Sequence, residues 1–135
     1  MANFGTLGSA SAITMADVGT GYQTKPQTGG DKALTASPST VPGTTMSLVA
    51  GDHLLYATFG WGASSGANSL VGEIYVNGAL RVNAVCMALA SPTSSSASYV
   101  WSGGATTALL RVYRLSGSGG ICYASITRLI AVQLG

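Results

Sequence analysis

The sequence predicts an all-β protein: an antiparallel β-sandwich or jelly roll of about 7–8 strands, preceded by an extended N-terminal arm. Three observations predict it. Short runs rich in Val, Ile, Leu, Tyr and Thr recur between clusters of Gly, Ser, Asn and Pro, at roughly 8–12-residue spacing and with no helical period. Asn77-Gly78 stands between two alternating runs, the strongest short-range signal for a β-hairpin. Only 7% of the 135 residues are charged, against roughly 25% in an ordinary soluble domain. Mean hydropathy is +0.38, yet no apolar run approaches the roughly 20 residues of a membrane span. A single domain of this size leaves about a third of its surface uncovered. So uncharged a chain is therefore expected to pack against copies of itself or a larger lattice.

Residues 1–45 read as the arm and residues 46–135 as the sandwich. Gly, Ser, Thr, Ala, Asn and Gln dominate the arm, and Pro26, Pro38 and Pro42 punctuate it around Gly29-Gly30-Asp31. No period lasts long enough there to make an element of its own. Free tails are normally more charged, so the spaced residues Phe4, Leu7, Ile13, Met15 and Tyr22 read as anchors that become ordered on a neighbour.

The first strand is expected over Thr45–Val49, closed by the turn Ala50-Gly51-Asp52. His53–Trp61 follows, with His53, Leu55, Ala57, Phe59 and Trp61 on one face. Gly62–Ser69 is small and polar and reads as a loop. Leu70–Val76 puts Leu70, Ile74 and Val76 on one side and Glu73 and Tyr75 on the other. Asn77-Gly78 calls for a type I′ turn, because both positions need positive φ, and the return strand is Ala79–Ala90. Ser91–Ser96 reads as a loop opened by Pro92, and Ala97–Trp101 as a short strand. Thr106–Leu115 is the next strand, followed by the loop Ser116–Gly120. Ile121–Leu134 is expected as one closing strand, with Cys122, Ala124, Ile126, Ile130, Val132 and Leu134 on one face and Arg128 as an interruption. A strand this apolar belongs inside a sheet rather than at an edge.

Chemistry is thinly supplied, so neither an enzyme nor a cofactor is expected. The single histidine, His53, follows Asp52; a turn Asp before a strand-start His explains the pair without catalysis. The side-chain carboxylates are Asp17, Asp31, Asp52 and Glu73, too few and too scattered for a paired-carboxylate or metal site. Gly60-Trp61-Gly62 and Gly117-Ser118-Gly119-Gly120 precede no helix and lack the Gly-Lys-Ser/Thr of a phosphate loop. Net charge is +2 and unclustered, which argues against a direct nucleic-acid ligand. Cys86 and Cys122 match no zinc spacing and read as small buried hydrophobes, with a bridge between them left open. No positively charged segment followed by an apolar stretch opens the chain, so synthesis in a reducing cytosol is expected.

The arginines carry more information. An Arg in an apolar strand needs an acceptor, and Glu73 is the only acid within these strands. The others bond backbone carbonyls, extend to solvent or meet a neighbouring chain, since Arg is enriched at interfaces. Arg111, Tyr113, Arg114, Arg128 and Tyr75 are the candidate interface residues.

Residues 46–134 resemble the C1q/TNF-like jelly roll. Three segments carry the resemblance: Val49-Ala50-Gly51-Asp52-His53-Leu54-Leu55-Tyr56, Glu73-Ile74-Tyr75-Val76-Asn77-Gly78-Ala79-Leu80, and Ile126-Thr127-Arg128-Leu129-Ile130-Ala131-Val132-Gln133-Leu134. The resemblance implies a homotrimer with inner sheets around a three-fold axis. The short, uncharged Gly/Ser/Thr-rich chain with its arm also resembles the capsid decoration (cement) proteins of tailed phages. That resemblance implies a structural virion protein on the capsid exterior, made in the host bacterial cytoplasm. Its trimers would clamp adjacent major capsid protein subunits through Phe4, Leu7, Ile13, Met15 and Tyr22, without membrane or nucleic-acid contact. The alternative is a tail-fibre or spike tip that binds a host glycan through Trp61, Tyr99 and Trp101.

Overall fold

Strand formers separated by Gly, Ser and Asn turns fold the chain into two antiparallel sheets packed face to face. The structure, a computed structural model, describes residues 22–62, 68–88 and 92–134. Its strands are β1 (Tyr22–Pro26), β2 (Lys32–Ala33), β3 (Ser39–Thr40), β4 (Met46–Leu48), β5 (Gly51–Gly62), β6 (Asn68–Val76), β7 (Ala79–Ala88), β8 (Thr93–Gly103), β9 (Thr106–Ser116), β10 (Ile121–Cys122) and β11 (Arg128–Gln133). No helix occurs among the described residues.

In the first sheet, β10 and β11 lie end to end along one side of β5, and β8 runs along the other. Outside β11 and β10 lie β1 and β2. In the second sheet the order is β3 and β4 end to end, then β9, β6 and β7. Each sheet is thus four strand positions wide, in line with the strand number expected from sequence. From β3 to β10 the chain changes sheet at every step except β3–β4 and the β6–β7 hairpin, as a jelly roll requires. That hairpin turns at Asn77 (φ 55°) and Gly78 (φ 73°), both left-handed, as the sequence demanded.

The core forms where the inner faces meet. Leu55, Ala57, Phe59 and Trp61 of β5 oppose Leu70, Ile74 and Val76 of β6 and Ala108, Leu110 and Val112 of β9, all buried. Phe59 and Trp61 stack with centroids 5.4 Å apart, and the Trp61 indole N–H donates to Ser95 Oγ at 2.7 Å. Gly72 leaves room for the Phe59 ring, which a Cβ there would meet at 2.6 Å. Cys86 and Cys122 are free thiols, not a bridge. Cys122 is buried beside Gln27 Oε1 (3.3 Å) and Thr127 Oγ1 (3.1 Å), and Gln27 also donates to the Gly30 and Cys122 carbonyls.

Three expectations need correction. First, residues 22–45 belong to the sandwich rather than to an arm ending at 45: β1, β2 and β3 pair with β11, β10 and β9, and Leu34 and Val41 are buried. These are edge strands of two to five residues cut by Pro and Gly, too short to show a period. Phe4, Leu7, Ile13 and Met15 lie outside the described residues. Second, Thr93–Ser96 is strand, not loop, because it pairs with Trp61–Thr58 of β5; sheet context overrides the weak strand preference of serine. Third, Ile121–Leu134 is two strands. A turn at Ala124–Ile126, closed by Ile126 and Thr127 N–H bonds to the Tyr123 carbonyl, separates them. It shifts the alternation by one residue, so Leu129 and Ala131 point into the core, and Ile130, Val132 and Leu134 point out.

Candidate interaction surface

The outward alternation of the first sheet builds an apolar face. In β5, Leu55 and Ala57 face the core while Leu54 (38% exposed) and Tyr56 (41%) face away. Register then aligns their neighbours. Tyr22, Val132, Leu54 and Val100 form one row across β1, β11, β5 and β8. Thr24, Ile130, Tyr56 and Ser98 form the next, and Pro26, Arg128, Thr58 and Ser96 the third. Beyond the first row lie Leu134, whose N–H bonds the Asp52 carbonyl, and the Asp52–Ser102 pair. Asp52 and Arg128 thus place opposite charges at the two ends of the face, with apolar and hydroxyl side chains between.

The outward face of the second sheet is different. Asn83, Glu73, Arg111 and Thr40 share one row. The Arg111 guanidinium lies 4.5 Å from the Tyr75 ring centroid and donates to the Pro38 carbonyl at 3.3 Å. Glu73 is 4% exposed, and its Oε1 has no hydrogen-bond partner. Burial pushes its carboxyl above the ordinary value, and the nearby Arg111 charge opposes that shift.

The candidate interface residues therefore do not converge. Tyr75, Arg111 and Tyr113 lie on the second sheet's outward face. Arg114, opposite Leu70, turns to the Leu34 and Gly119 carbonyls at 3.1 and 2.9 Å. Arg128 lies on the apolar face of the other sheet, as does Tyr22. Three arginines, Arg81, Arg111 and Arg114, donate to backbone carbonyls. The aromatic platform does not assemble at the surface: Trp61 is fully buried, and Tyr99 and Trp101 pack against the core. His53 is buried and Asp52 exposed on the opposite side of the same strand, so they form no site together. Among the described residues no three His, Cys, Asp or Glu side chains are placed to hold a metal ion.

Sequence reasoning passed over Leu54, Tyr56, Val100, Ile130 and Val132. The signal was present in His53–Trp61, where the residues between the core positions include Leu54 and Tyr56. A strand apolar on both sides has two faces to cover, and here only the inner one is covered.

Solved structures share the two-sheet fold. The tumour-necrosis-factor protein Eiger from S. frugiperda superposes with a TM-score of 0.53 at 13% identity, over 85% of this chain and 94% of that one. The fold is a jelly roll. The structure of infectious bursal disease virus, Gx strain, gives a TM-score of 0.56 at 9% identity over 84% of this chain, which spans only 33% of that viral chain. The jelly roll is thus common to a TNF protein and a virus protein, and identities this low carry the fold alone. No protein-family model matches the sequence, and no curated protein does.

Proposed function

We propose that this chain is a structural, non-catalytic virion protein that assembles as a homotrimer through the outward face of the β1–β11–β5–β8 sheet and decorates a phage capsid exterior. The observation that carries the reading is the unbroken apolar row Tyr22, Val132, Leu54 and Val100, backed by Ile130 and Tyr56. Monomeric soluble proteins rarely leave so continuous an apolar face in water. Covering a half-exposed Leu, Val or Tyr contributes on the order of 1 kcal/mol each, which several residues on three copies multiply. A TNF-like fold and a viral jelly-roll neighbour support the reading without specifying it. Residues 1–21 would supply the reach beyond the sandwich, with Phe4, Leu7, Ile13 and Met15 as apolar anchors on neighbouring subunits. Several modest contacts per trimer then act together, because one seated chain raises the effective concentration of the others.

Gold-labelled antibody against the chain, applied to particles from a culture that produces it, tests the assignment by electron microscopy. Label spread over the outside of heads is the expected result. Label at tail tips, or none on any particle, overturns it.

A further inference from the structure

Three of the sandwich's four edges carry features that block pairing with another chain. The β1/β2 edge holds Lys25 and Pro26 and is interrupted between its two short strands. The β3/β4 edge consists of strands of two and three residues with Pro42 and Gly43 between them. Strand β7 is bulged where it meets Ile74 and Tyr75 and carries Arg81. Strand β8 has none of these features. Its 11 residues, Thr93–Gly103, contain no charge and no proline. They pair with β5 without a register shift, from Trp61–Thr93 to Gly51–Gly103. Among the described residues no strand hydrogen-bonds to the other side of β8, and β7 of the second sheet approaches it through Arg81, 5.1 Å from the Trp101 ring centroid. A long, regular, uncharged edge is a template for strand addition, and natural proteins rarely leave one uncovered.

We infer that β8 accepts residues 6–16 of another copy of this chain as an added strand. The segment Thr6–Ala16 matches β8 in length and likewise lacks charge and proline, the first acid being Asp17. Leu7, Ser9, Ser11, Ile13 and Met15 fall on one side of it when extended. Main-chain hydrogen bonds supply the affinity in this mode, so the segment's weak intrinsic strand preference is no obstacle. Reach decides whose β8 is used. The chain enters β1 at Tyr22, at the opposite edge of the same sheet. From β1 to the open side of β8 is four strand spacings, about 19 Å. Added antiparallel over its whole length, the segment sets Ala16 beside Thr93, seven residues from the Val100 that shares the Tyr22 row, so the gap becomes about 30 Å, whereas the six Cα steps from Ala16 to Tyr22 span at most about 22 Å. The acceptor is therefore a second copy. This rests on the proposed self-association, since a ring of copies sharing the apolar face turns the β1 edge of one toward the β8 edge of the next.

Disulfide trapping in full-length protein tests this. In a Cys86→Ser background, a Ser98→Cys chain is mixed with chains carrying single cysteines at successive positions from 6 to 16, and linked pairs are quantified after oxidation. The expected yield peaks at one position and those two residues away, with intervening positions about five-fold lower because side chains alternate. Replacing Ser98→Cys by Ser96→Cys must move the peak by two residues. Uniform or absent linking in material that light scattering shows to be assembled overturns the arm exchange and leaves the self-association standing. Material that is monomeric overturns both.

Discussion

Gly72 shows how little freedom the core allows a single residue. A methyl group there meets the Phe59 ring at 2.6 Å, and that ring is pinned against Trp61. Gly72→Ala is expected to cost about 1–3 kcal/mol, the usual range for overpacking, read as a lower urea midpoint at unchanged slope. Glu73 sits on the same strand but faces outward, nearly inaccessible and with its carboxyl raised above 4.5 chiefly by burial. A carboxyl that holds its proton more tightly folded than unfolded contributes its full stability below the unfolded value. It loses that contribution as pH rises through the folded value. Stability should therefore fall as pH climbs from 4.5, and Glu73→Gln should flatten the fall. Unfolding midpoints of both proteins across a pH series check the sign; parallel curves would refute it.

Among the elements, the β6–β7 hairpin depends most on local sequence. Gly78 has φ 73° and open space around the position of a Cβ, so substitution there reports backbone conformation alone. Gly78→Ala should cost about 1–2 kcal/mol. Gly104→Ala, equally uncrowded and outside the left-handed region, should cost far less; equal losses in thermal unfolding would contradict the turn assignment. The strands β4 to β7 and β9, with the second half of β8, were legible because alternation persists over long stretches and Asn-Gly fixes its own turn. The strands β1 to β3 were hidden because main-chain pairing, rather than side-chain pattern, holds two to five residues in place. The turn between Cys122 and Arg128 was hidden too, since Ala124, Ile126, Ile130 and Val132 keep an even spacing through it. That single shift in alternation moved Ile130 and Val132 from expected core to outward face, and with them the centre of the candidate surface. For two of the expected interface arginines, Arg111 and Arg114, backbone carbonyls within the same chain serve as the acceptors.

At the scale of the molecule, low charge and the apolar face are two views of one property. A sheet four strands wide has its inner face covered by the second sheet, and its outer face repeats the apolar pattern with charge only at Asp52 and Arg128. The proposed self-association through that face would account for a chain of which 7% is charged. The most direct test is mass by light scattering for the wild-type chain and for Leu54→Asp combined with Tyr56→Asp. Those side chains lie outside the core, so the double variant should keep its strand spectrum. The account predicts a trimer for the wild type and a folded monomer for the variant. A monomeric wild type, or a variant that stays trimeric, would contradict it.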